Sequence, residues 1–152
     1  MELPGPWRAH VADDALRRTF PADDLDDGDW TEVAVPGHWQ DEADFSGEEG
    51  PLLYRTRFPT VEPATDQRLW LELDGVAYQG DVWLDGSYLG PTEGYFHRHA
   101  LEVTDAARSR SEHLLAVEVT CPRVGNPDEK RTLTGSTQGG PGDVNPGGIW
   151  RP

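Results

Sequence analysis

One cysteine, one methionine and one lysine (Lys130) stand among the 152 residues. With Cys121 alone, an internal disulfide is excluded, and the chain must rely on a packed core. That core is within reach, because a chain of this length buries about 68–70% of its unfolded surface as one domain. The lone cysteine fits a reducing compartment, so a cytoplasmic location is expected. No apolar run approaches the roughly 18 residues of a membrane-spanning helix, and no membrane partner is expected. The opening MELPGPWRAH has neither the basic nor the apolar region of a secretory signal. Positive charge is scarce too: 13 Lys and Arg stand against 28 Asp and Glu, a net charge of −15. Such a surface repels nucleic acid and anionic lipid, so neither is an expected partner. The acidity fits a salty host or an ordinary acidic soluble domain.

Glycine and proline are plentiful, at 17 and 13 residues, and cut the chain into short runs that alternate with period two. In RLWLELD, Leu69, Leu71 and Leu73 share a face opposite Trp70 and Glu72. In HLLAVEVT, Leu115, Val117 and Val119 oppose Ala116 and Glu118. In LYRTRF, Tyr54, Thr56 and Phe58 oppose Arg55 and Arg57. TEVAVPG reads as a strand ended by Pro36-Gly37. DVWL-DG-SYLG reads as a hairpin, with Asp85-Gly86 supplying the positive φ angles of a type I′ turn. Helical signals are short: DDALRRT allows two turns, and Thr104 is placed to cap TDAARS. The spacing predicts an all-β, antiparallel sandwich or jelly roll, one domain over residues 1–152. From Cys121 onward the chain holds five prolines and seven glycines with almost no periodicity, and reads as a long loop. GGIWRP then resumes a strand pattern at its end, so a domain excised from a longer protein is expected.

Motifs of chemistry are sparse. Gly-x-Ser-x-Gly, the phosphate-binding loop and the dinucleotide fingerprint are all absent from the sequence. The acidic stretch ADDLDDGDW fails the EF-hand pattern at Leu25 and Ala34 and reads as a solvated loop. His97 and His99 would share a face in a strand, but no partner stands at zinc-ligand spacing, so no metal or cofactor is expected. The rings are more informative: Trp30, Trp39, Trp70, Trp83 and Trp150, with Tyr78, Tyr88, Tyr95 and Phe96. Sugars stack their C–H faces on such rings while carboxylates and amides bond the hydroxyls. Trp70 and Trp83 sit in strand patterns and are expected in the core, whereas Trp39 lies at a strand end where its ring can be exposed.

Four blocks resemble, in order, the N-terminal domain of glycoside hydrolase family 2, which includes β-galactosidases, β-glucuronidases and β-mannosidases. WTEVAVPGHWQ resembles its Trp-x-x-Val-x-Val-Pro-Gly-x-Trp segment, and LLYRTRF its Tyr-Arg-x-x-Phe strand. RLWLELDGVAYQGDVWLDGSYLGPTEGYFHRHALEVTDAAR resembles the stretch holding a Val-Trp-Leu-Asn-Gly hairpin. NPGGIWRP resembles the Gly-Ile-x-Arg segment at the handover to the next domain. The resemblance implies a galactose-binding-like jelly roll, followed in a parent chain by an immunoglobulin-like domain and a TIM barrel. The parent would be a retaining glycosidase with its two catalytic glutamates on the barrel, so no catalytic residue is expected here.

The domain's part would be to lend loops to one wall of the substrate pocket. The first such loop follows Trp39 through Gln40, Asp41 and Asp44 toward Leu52; the second precedes Gly147-Gly148. Trp39, Gln40, Asp41, Asp143 and Asn145 are the substrate-binding candidates. Where some family members place a substrate-touching aspartate, Gly142 stands here, with Asp143 one place off. Arg131 and Arg151 are the cations available to an acidic sugar. A self-sufficient carbohydrate-binding module and a purely structural domain packed on a barrel are the other readings.

Overall fold

The computed structural model describes residues 3, 5–60, 62–121 and 147–151. Its elements are β1 (Trp7–Val11), α1 (Leu16–Thr19), β2 (Thr31–Val33), β3 (Leu52–Pro59), β4 (Trp70–Leu73), β5 (Gly75–Ala77), β6 (Gln79–Leu84), β7 (Ser87–Glu93), β8 (His99–Glu102), α2 (Thr104–Ser109), β9 (Glu112–Thr120) and β10 (Gly148–Arg151). Six strands form one antiparallel sheet in the order β2-β1-β3-β9-β6-β7, and β5–β10 and β4–β8 form two ribbons. Leu71, Leu73, Val76 and Ile149 of the ribbons pack with Tyr54, Val82, Leu115, Val117 and Val119 of the sheet in one core. This is the all-β sandwich that the alternating runs predict.

The central strand β9 is buried at seven consecutive positions, so both its faces are covered. Its inward set is Leu115, Val117 and Val119. On the outer face Ala116 joins Phe20, Trp30 and Leu53 in a second cluster, with Leu16, Leu25 and Trp83 against it. The segment between β1 and β2 is therefore folded over the sheet, and Arg55 pins it there. Arg55 is 1% exposed. Its guanidinium donates to the carbonyls of Leu25 (3.0 Å) and Ala22 (2.9 Å) and pairs with Asp27 at 2.8 Å. Burial lowers its pKa, opposed by the Asp27 charge.

The acidic stretch is the expected loop, with Asp23, Asp24, Asp26 and Asp29 exposed, but it is also tied to the sheet. Asp23 accepts from Arg57 at 3.0 Å and from Arg110 at 2.5 Å. Its carboxyl pKa is lowered, first by the Arg110 hydrogen bond, against the opposing effect of burial. The arginines on the outward face of β3 explain the tie. Each needs a counter-charge, and the neighbouring loop supplies it.

The hairpin turn forms as the Asp-Gly pair predicts, with φ of 51° at Asp85 and 78° at Gly86. The Asp85 carboxylate does more than suit the turn. It accepts from the Leu114 N–H at 2.9 Å and from Nδ1 of the buried His113 at 2.5 Å, tying β6–β7 to β9.

Four local expectations need correction. TEVAVPG is a strand only over Thr31–Val33, because the Ala34 N–H turns to the Glu42 carboxylate at 3.1 Å. DDALRRT makes a single turn, α1, started by Asp13 Oδ1 accepting from Ala15 and Leu16; Pro21 follows the buried Phe20 and disfavours continuation. Thr104 does not cap α2: its hydroxyl accepts from the Leu69 N–H and donates to Glu102. Trp70, expected in the core, is 51% exposed, because Leu69, Leu71 and Leu73 take the inward positions of that run. Trp83 is half-buried, edge-on to Phe20.

Candidate functional site

The β5–β10 ribbon is extended by the segment Gly37–Trp39. The Gly37 N–H donates to the Ile149 carbonyl at 2.9 Å and the Trp39 N–H to the Gly147 carbonyl at 3.0 Å. These bonds join the segment that opens the first candidate loop to Gly147 and Ile149. The Trp39 ring is only 1% exposed, its Nε1 donating to the Glu48 carbonyl at 3.2 Å.

Glycine is required at two positions against that ring. A Cβ on Gly147 would stand 1.9 Å from the ring, and one on Gly50, where φ is +76°, would stand 2.8 Å away. Gly148 has φ of +144°, and a Cβ there would meet the Gly37 carbonyl oxygen at 2.5 Å. Only glycine fits such close backbone approach. The Gly147-Gly148 pair is therefore the seat of Trp39.

Beside this buried wedge lies a surface cluster of rings. In β10 the core takes Ile149, so alternation turns Trp150 outward. Trp150 stacks on His38 (centroids 6.0 Å apart, planes 8° apart), lies 4.7 Å from Tyr95 and meets Phe96 edge-on at 5.2 Å. Its Nε1 donates to the Tyr95 carbonyl at 2.8 Å, fixing the ring against the turn after β7. The Arg151 guanidinium sits 4.7 Å from the Trp150 ring centroid. Phe96 is 62% exposed. Three rings and a cation thus form a platform, with Phe96 exposed and Tyr95 and Trp150 half-buried behind it, suited to a sugar ring or to another protein surface. Burial raises the Tyr95 pKa, with the nearby Cys121 adding to the effect, so its phenol stays protonated at neutral pH.

The glycosyl hydrolase 2 galactose-binding domain-like family matches residues 39–140. The chain belongs to that family. Among curated relatives, β-galactosidase BgaC of Bifidobacterium adolescentis is 28% identical over 157 aligned residues, covering 76% of this chain and 15% of the relative. The β-galactosidase of Priestia megaterium is 25% identical, covering 77% of this chain and 14% of the relative. The chain thus spans about one seventh of the length of the curated relatives it matches. In fold it is similar to a β-glucuronidase of Faecalibacterium prausnitzii, with a TM-score of 0.69 at 23% identity, covering 91% of this chain and 25% of that one.

Within this galactose-binding-like domain the expected site residues separate. Trp39 is buried where an exposed ring is expected, because Gly50 and Gly147, remote in sequence, enclose it. Gln40 is half-buried and Asp41 exposed in the turn that follows, open to a partner beyond the domain. Asp44 accepts from the Thr31 hydroxyl at 2.9 Å and holds the loop to β2. Asp143, Asn145 and Arg131 lie outside the described residues. His97 stands in a turn and only His99 begins β8, so the shared strand face is lost. Among the described residues no three metal-ligating side chains converge. The platform of the exposed Phe96 and the half-buried Tyr95 and Trp150 replaces Trp39 as the aromatic surface, and the inward Ile149 is the signal that marks Trp150.

Proposed function

We propose that the chain is the non-catalytic N-terminal domain of a retaining β-glycosidase. Its role is to pack on a catalytic barrel and lend the residue 38–50 loop and the Trp150 platform to one wall of the substrate pocket. The observation that carries this is membership of the galactose-binding-like family, by a chain only 14–15% as long as the β-galactosidases it resembles. The platform supports the contact role. An exposed Phe96 backed by a Trp150 ring that a hydrogen bond and a cation hold in place gives apolar contact with little loss of side-chain freedom on docking. Hydrolysis of a β-glycoside needs two carboxylates in set geometry, and the family resemblance places these on a different domain.

The 152-residue chain, incubated with 4-nitrophenyl β-galactoside, β-glucuronide and β-mannoside, is expected to release no nitrophenol above the buffer rate. Turnover by the purified, folded chain, abolished in a carboxylate variant, would overturn the non-catalytic assignment.

A further inference from the structure

The outer face of the six-stranded sheet is capped by the Phe20–Trp30 cluster over β3 and part of β9, and is open beyond it. There the register sets Gln79 of β6 opposite Glu93 of β7 and Thr120 of β9, and Asp81 opposite Glu118. Side chains directly opposite one another share a face, so three adjacent strands aim polar groups into the same space. That space is a hollow of about 420 Å³, walled on one side by Arg17 of α1 and on another by His99 of β8.

Its interior is preorganised. Arg17 Nε donates to Glu118 Oε2 at 3.0 Å and its Nη2 to the other oxygen of the same carboxylate, so the 7%-exposed Glu118 is neutralised and held. The Tyr88 hydroxyl donates to Asp81 Oδ1 at 2.5 Å, leaving Oδ2 to accept from a ligand. Tyr88, 54% exposed, leans on Trp83 with ring centroids 5.3 Å apart; it stands outside the lining and acts on the hollow only by holding Asp81. The Gln79 amide and Thr120 hydroxyl, both exposed, offer donors as well as acceptors.

We infer that this hollow binds a neutral polyhydroxylated ring, a site separate from the pocket wall proposed above. Hydroxyl groups donate and accept at once, matching a lining that mixes the Gln79 amide and the Thr92 and Thr120 hydroxyls with carboxylates. Charge sets the class. Asp81, Glu93 and Glu118 outnumber Arg17, whose guanidinium is already engaged, so a carboxylate or phosphate on the ligand meets net repulsion.

The test is chemical-shift mapping on the ¹⁵N-labelled 152-residue chain with methyl β-galactoside, methyl β-glucoside and glucuronate. Expected are saturable shifts at residues 79–81, 92–93 and 118–120 with a neutral glycoside at millimolar Kd, and none there with glucuronate. Gln79→Ala, an exposed change that leaves the melting temperature in place, is expected to weaken binding about tenfold. Trp150→Ala leaves this binding intact, which separates the hollow from the platform. Absence of shifts in those strands at roughly 50 mM glycoside, or equal binding of glucuronate, would overturn the site. The pocket-wall role would stand untouched by that result.

Discussion

Trp39→Ala is expected to lower the unfolding free energy by about 3–5 kcal/mol, the cost of emptying a fully packed aromatic site. For a chain of this size that is a fall of roughly 10 °C in melting temperature. The ring is 1% exposed, closely approached by Gly50 and Gly147, and donates to the Glu48 carbonyl. Its removal leaves a cavity and an unpaired carbonyl together, and frees the loop that carries Gln40 and Asp41. Trp39→Phe keeps part of the ring and should cost less. Circular-dichroism melts of the three proteins decide the matter. An unchanged melting temperature for Trp39→Ala would mean that the ring is a surface feature after all, available to stack on a ligand.

Arg55→Met is the second large effect, at about 3 kcal/mol. It strands the Asp27 carboxylate and removes the donors to the Ala22 and Leu25 carbonyls. The damage should be local to the cap formed by Phe20 and Trp30, on which the guanidinium also rests at 5.7 Å from the Trp30 ring. Adding Asp27→Asn to Arg55→Met should recover part of the loss, because the unpaired charge is then gone. Urea unfolding of the single and double variants checks both statements. A loss below about 0.5 kcal/mol for Arg55→Met would show that the outer cap holds without its pin.

Both effects fall where the sequence is hardest to read. The class of fold is legible because its signals are local: alternating Leu71 and Leu73, the Val117–Val119 run, and the Asp85-Gly86 turn each act within a few residues. Trp39 is not, since the groups that bury it lie 11 and 108 positions away, at Gly50 and Gly147. Arg55 reads as a solvent-facing residue of an alternating strand. Its burial depends on a separate segment folding over it, a tertiary effect that no period reports. Trp70 is the opposite case: its own alternation with Leu69 and Leu71 marks it as outward, and large size alone points the wrong way. The candidate site is half legible. The segments 37–39 and 147–149 that pair there belong to blocks the family resemblance picks out, but the surface rings beside them are the exposed Phe96 and the half-buried Tyr95 and Trp150, which become a cluster only when β10 pairs with β5.

The most direct test of the pocket-wall role is steady-state kinetics of the longer glycosidase proposed above to carry this domain, with Phe96→Ala in it. Phe96 is the most exposed ring of the platform, so its loss should leave the domain's own melting temperature nearly unchanged. The account predicts a fall of about tenfold in kcat/KM for a β-glycoside, the worth of one well-placed aromatic contact. An unaltered kcat/KM, with the enzyme's assembly and stability also unaltered, would contradict it.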